Sequence, residues 1–172
     1  MQAYYTVPVA RRLAAARHLY REHGREMDAT PAIRSGLAGI RLLAADLEEQ
    51  MQTMDMGRRC SACAARAGGG CCSAVMADNT DAILLLINLL LGGDPGWQED
   101  SPAECAFLGR EGCTLAVKPI FCLNYNCSQI REAAGRGEME TLERLAGRLL
   151  SAQTEVERTI LEWLGRQEAE EA

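Results

Sequence analysis

All eight cysteines of this 172-residue chain fall within residues 60–127. A lone cysteine is commonly a small buried hydrophobe, but that role does not explain eight confined to one stretch. Thiolates are soft donors that suit zinc and iron–sulfur clusters, and four of them complete either kind of site. We therefore predict a metal site formed by at least four of these residues. The candidate ligands form two groups, Cys60, Cys63, Cys71 and Cys72, then Cys105, Cys113, Cys122 and Cys127.

The spacing within the two groups limits how they can bind. Cys60 and Cys63 form a CxxC turn, which lets both sulfurs point at one metal. The side chains of Cys71 and Cys72 diverge in an extended backbone, so either only one ligates or two metal centres lie close together. The second group has gaps of seven, eight and four residues, without the second CxxC of a zinc ribbon. That spacing favours an iron–sulfur cluster over zinc, and both stay open.

Charge and hydropathy exclude several other classes of function. The net charge of −6 and the scattered arginines argue against nucleic acid as a partner. The longest apolar run, residues 82–91, is about half the ~20 residues that a membrane span needs. No apolar segment follows a positive N-terminal region, so no export signal is visible. We expect a cytoplasmic protein without a membrane partner, in which thiols stay reduced rather than forming disulfides.

Apolar periodicity predicts helices on both sides of the cysteines, over residues 8–56 and 128–166. We expect the first helix to begin at Pro8, carry an apolar stripe that includes Tyr20, and end near Gly24. Thr30 and Pro31 predict the start of the second. Ser128 is expected to cap a short helix, and a long helix is expected from Glu138 to Leu164, followed by a fraying tail.

The middle of the chain is expected to be less regular. Residues 60–72 are rich in Gly and Ala without periodicity, which predicts a loop. Asp81 and its polar neighbours cap an apolar helix over 82–91. Residues 105–117 predict a hairpin that turns at Gly109–Gly112. The whole is a mainly α fold, a single domain over residues 1–172, with a cysteine-rich metal-binding loop and a short hairpin.

Other residues near the cysteines have two interpretations each. Arg58, Arg59 and Arg66 would stabilise a negative metal site or would simply be solvated. Aromatic and apolar residues in the second group would shield a cluster from water or would pack locally. These residues are Phe107, Phe121, Leu123 and Tyr125.

Several signals elsewhere favour ordinary structural roles. His18 and His23 are five residues apart and do not share a helical face, so no Cys–His nucleophile is supported. The thioethers of Met51, Met54 and Met56 would suit Cu(I), but two of them lie on the apolar stripe. The acidic pairs Glu48-Glu49 and Glu99-Asp100 are most simply solvated. No catalytic or organic-cofactor-binding residue is identified.

The order CxxC…CC…CxFL…GC…KPxxC resembles the YkgJ-type cysteine-cluster family of zinc- or iron-chelating domains, and the match covers about residues 60–127. This chain departs from the family in the longer, glycine-rich gap at residues 68–70 and in Lys118, where an arginine commonly precedes the proline. The resemblance implies a metal site and leaves the activity open. We expect either a structural role, in which the metal holds a helical domain that binds a protein partner, or a redox role. Some relatives are similar to flagellin lysine N-methylases, which implies an iron–sulfur-dependent methyltransferase as the alternative. No glycine-rich strand–turn–helix for S-adenosylmethionine is present.

Overall fold

The computed structural model describes residues 7–66, 70–96, 104–124 and 126–170, and within them the fold is mainly α, as predicted. Most of the elements are helices, and the one sheet among them is a small antiparallel hairpin. In chain order the elements are α1 (Val9–Ala29), α2 (Pro31–Thr53), α3 (Met56–Ala64), α4 (Ala74–Ala77), α5 (Ala82–Leu90), β1 (Leu108–Gly109), β2 (Gly112–Cys113), α6 (Ile120–Asn124), α7 (Ser128–Ala133) and α8 (Arg136–Glu170).

The core lies between the long helices and the short apolar helix α5. Helix α2 packs along α8, and α1 packs against α5. Nearly every side chain of α5 is buried, and Ile83, Leu85 and Leu86 have no exposed surface. Asp81 caps this helix as predicted, since its Oδ1 accepts a 2.8 Å hydrogen bond from the Leu84 N–H. Burial of α5 therefore organises the molecule around the segment that separates the two cysteine groups.

The long helices extend beyond the predicted limits. Helix α1 continues through Gly24 to Ala29, because burial of Met27 outweighs the cost of about 1 kcal/mol for a helical glycine. Tyr20 is exposed, and the stripe uses Leu19 instead. Helix α8 begins at Arg136 and runs to Glu170, beyond the predicted end at Leu164. No helix of the described ranges is both long enough and apolar enough to span a bilayer.

Two predicted caps act differently from expectation. Thr30 stands before α2 as predicted, but its hydroxyl donates back to the Glu26 carbonyl at the end of α1. Ser128 is the first residue of α7, and Cys127 occupies the capping position. Both helices nevertheless begin at the predicted residue, within one position.

The prediction of a loop over residues 60–72 is wrong for its first part. Helix α3 contains both Cys60 and Cys63. Its alanines and arginines favour a helix without giving it any apolar period. Its first and last residues, Met56 and Ala64, are buried and anchor it. The CxxC is therefore an i, i+3 pair on one helical face instead of a turn. Residues 67–69 lie outside the described part, as do Glu99, Asp100 and Tyr125.

The predicted hairpin is present but shorter than residues 105–117. Strand β1 pairs antiparallel with β2, with Leu108 opposite Cys113 and a turn between Gly109 and Gly112. The φ of Gly112 is +115°, a conformation that requires glycine. Gly57 of α3 approaches this turn so closely that a Cβ atom there would collide with the Glu111 carbonyl oxygen. The missing side chains of these two glycines let α3 and the hairpin touch.

Candidate metal centre

The two cysteine groups meet around one cavity of about 80 Å³. It is bounded by α3, the segment before α4, the hairpin, and the region of α6 and α7. Cys63 lies beside it, at a smaller cavity that it shares with three of the other cysteines. The cysteines that line the main cavity are Cys60, Cys71, Cys72, Cys105, Cys113, Cys122 and Cys127.

Main-chain and hydroxyl contacts hold the two groups together. The backbone N–H of Cys105 donates to the Cys72 carbonyl at 3.1 Å, and Ser73 forms an antiparallel bridge with Glu104. The Ser61 hydroxyl of α3 donates to the Gly109 carbonyl at 2.9 Å. Segments that are distant in sequence are thus joined without any use of the sulfur atoms.

One thiol proton links three cysteines of the first group. The Cys72 thiol shares its proton with the sulfurs of Cys60 and Cys71, which lowers the pKa of Cys60 and lowers the pKa of Cys71 to about 6. The same two contacts raise the pKa of Cys72. At neutral pH, Cys71 is therefore largely a thiolate, the form that binds metals, while Cys72 keeps its proton.

Three thiols of the second group have a raised pKa instead. Burial raises the pKa of Cys105 and, more deeply in the cavity wall, that of Cys113, where the nearby charge of Lys118 acts against it. Cys122 is exposed as a residue, yet partial desolvation and then the neighbouring sulfurs of Cys113, Cys105 and Cys71 raise its pKa. These thiols are protonated at neutral pH, and a bound cation would displace their protons.

No three His, Cys, Asp or Glu side chains are grouped in position to hold a metal ion, within the part of the chain that the structure describes. The sulfurs surround a common space without forming a finished ligand shell. The donor set fits a thiolate-bound centre in its chemistry, because seven cysteines line the same cavity. Their sulfurs would have to come closer together to hold one ion.

The residues around the cavity correct several expectations. Arg58, Arg59 and Arg66 are exposed, and Arg58 pairs with Asp55 at 2.6 Å. Arg59 nevertheless lines the smaller cavity that contains Cys63. Among the described residues, the cation that lines the main cavity is Lys118, which in the sequence is only a departure from the family pattern. Its ion-pair partner is Glu48, so this carboxylate is not simply solvated.

The apolar residues near the sulfurs divide into two sets. Phe107 is almost fully buried and lines the cavity, and Leu123 is buried in α6. Phe121 also lines the cavity but is largely exposed, so it shields the sulfurs on one side only.

The methionines pack in or against the core, and two of them also line the cysteine cavity. Met54 and Met56 are buried in the core, and Met51 is partly buried against it, as expected for packing. Met51 and Met56 line the cavity as well. His18 is exposed, and the ring of His23 packs edge-on against Trp163 with a centroid distance of 5.4 Å.

Comparisons with known proteins add no identity to this site. No protein-family profile matches the chain, and no curated protein or solved structure is similar to it. The resemblance to the cysteine-cluster family therefore stays a prediction based on the motif residues.

Proposed function

We propose that this chain binds an inorganic centre, an iron–sulfur cluster or zinc, through thiolates of both cysteine groups. The observation that carries the proposal is the single cavity lined by seven of the eight cysteines. Disordered or randomly buried thiols would not share one space. The first group supplies a ready thiolate at Cys71, and the second supplies thiols that a cation would deprotonate.

The number of donors exceeds what one centre needs. Four thiolates complete one zinc site or one cluster, so the remaining cysteines either serve a second centre or tune the first through hydrogen bonds. Phe107 and Leu108 form an apolar wall that excludes water from one side of the cavity. Irregular ligand spacing and an apolar wall favour the cluster. Bound zinc would supply structural cross-linking, and a bound cluster would supply electron transfer.

Anaerobic purification followed by iron, sulfide and zinc analysis tests this proposal. We expect a stoichiometric metal content that Cys60→Ser and Cys122→Ser lower, together with the thermal unfolding temperature, because each removes a ligand from a different group. Ala62→Ser and Asn124→Ser are matched controls at exposed neighbours in the same helices. They should leave the metal content unchanged.

The outcomes separate the two metals and test the ligand assignment. Iron and sulfide in similar amounts support the cluster and a redox role. Zinc alone removes the basis of a redox role, since zinc has no redox chemistry. An unchanged metal content in both cysteine variants would contradict the assignment of these ligands.

A further inference from the structure

Lys118 is held at the cavity by two core helices. The buried Asn88 amide of α5 donates to the Val117 carbonyl at 2.9 Å, and its oxygen accepts from the N–H groups of Ala116 and Val117. From the other side, Gln153 of α8 donates to the Lys118 carbonyl at 3.1 Å. These four hydrogen bonds fix the backbone that carries Lys118, so its position is a property of the folded core.

The side chain of Lys118 is buried although it is charged. It is only 6% exposed, and it lines the cysteine cavity beside Cys113 and Cys122. Its ammonium lies 3.9 Å from the Glu48 carboxylate, which is an ion pair but is longer than a hydrogen bond. Glu48 is 48% exposed, so water weakens its hold on the ammonium.

Burial of an ammonium group is costly unless an anion compensates for it. The other buried charge in the described ranges, Arg12, is compensated in part by hydrogen bonds. One of its terminal nitrogens donates to the carbonyls of Asp78 and Thr80 at 2.6 and 2.9 Å, while its Nε has no partner there. The groups near the Lys118 ammonium are instead the half-exposed carboxylate of Glu48, 3.9 Å away, and the cysteines that line the cavity. Glu48, Lys118 and Cys113 also line a smaller cavity together. Two charges of opposite sign thus lie beside the same cysteine.

We infer that Lys118 is the internal counter-ion of the thiolate centre and that Glu48 moderates its effect. This inference rests on the proposed function. A thiolate-bound centre concentrates negative charge in the cavity, and a fixed ammonium in its wall offsets that charge. Lys118 is a positioning residue for charge and not a ligand, because an ammonium has no lone pair to give. Glu48 adds negative charge at the same wall, so it opposes binding.

The test uses Zn²⁺ as the probe, titrated into the reduced, metal-free full chain in competition with a chromophoric chelator. Lys118→Met keeps the length of the side chain and removes its charge, so we expect at least a tenfold loss of affinity. Lys118→Arg keeps the charge and should restore most of the affinity. Glu48→Gln should raise the affinity severalfold, because it removes the competing anion.

A structural role alone would not give shifts of opposite sign at Lys118 and Glu48. If Lys118→Met does not fold, Glu48→Gln still decides, and an unchanged or lowered affinity there would overturn the inference. Equal affinities in the wild type, Lys118→Met and Glu48→Gln would overturn it as well, while the proposed metal site would stand. A wild-type chain that binds no metal would overturn both.

Discussion

The side chains of α5 and the cysteines around the cavity differ in their solvent exposure and in the contacts that hold them. The side chains of α5 at Ile83, Leu85 and Leu86 have no exposed surface. By contrast, each cysteine keeps part of its surface in contact with solvent, and Cys122 is exposed. Helices bury the core through apolar area, whereas the segments around the cavity are joined by hydrogen bonds, by the close approach of Gly57 and Gly112, and by packing of Met56 and Phe107 against the core. The sulfur region therefore depends on the packing of the core.

The largest loss of stability should come from a substitution in the core around α5. Leu86→Ala removes a fully buried side chain and leaves a cavity, which should cost about 2–5 kcal/mol of unfolding free energy. Chemical denaturation of the metal-free chain measures it. Leu42, which is 70% exposed, gives the control, and Leu42→Ala should change the stability by less than about 0.5 kcal/mol. Similar losses in both variants would contradict the assignment of the core.

A smaller effect should come from the contact between α3 and the hairpin. Gly57→Ala places a Cβ against the Glu111 carbonyl and should cost about 1–3 kcal/mol, because the two backbones must separate. Gly39 of α2 has open space around it, so Gly39→Ala should stabilise the chain by about 0.5–1 kcal/mol. Thermal unfolding compares the two. Stabilisation by both substitutions would show that α3 does not touch the hairpin as described.

The smallest effect should be a difference in alkylation rate between the thiols of the two cysteine groups. In the reduced, metal-free protein at pH 7, Cys71 should be alkylated at least about tenfold faster than Cys113, because thiolates are the nucleophiles. The pKa of Cys71 is lowered to about 6, whereas burial raises that of Cys113. Peptide mass spectrometry after timed iodoacetamide treatment measures both rates. The Cys71 rate should fall as the pH drops through 6, and denaturant should abolish the difference between the two.

The helical part of the fold could be read from the sequence because apolar period and caps are local signals. Pro31, Asp81 and the glycines of the hairpin turn mark boundaries that the structure reproduces closely. Helix α3 cannot be recognised in the sequence, because a short helix rich in alanine and arginine shows no apolar stripe. The end of α1 differs from the prediction because tertiary burial of Met27 carries the helix past Gly24.

The candidate site was only partly predictable. Composition and spacing identified the eight cysteines, but the contact between Cys72 and Cys105 joins residues far apart in sequence, and no local pattern encodes it. Lys118 and Asn88 were harder still. A lysine before a proline and an asparagine within an apolar run both resemble ordinary surface or interrupting residues. Their burial becomes visible only when α5, α8 and residues 116–118 are brought together.

The hydrogen bond between Cys105 and Cys72 closes a chain segment that contains α5. For any ligand that bridges the two groups, the second group acts at an effective concentration set by how firmly the ends of this segment are held. That firmness comes from the packing of α5 and not from the sulfurs. A substitution deep in the apolar core can thus weaken ligand binding although every donor atom remains in the chain. It does so by lowering the effective concentration of one cysteine group at the other.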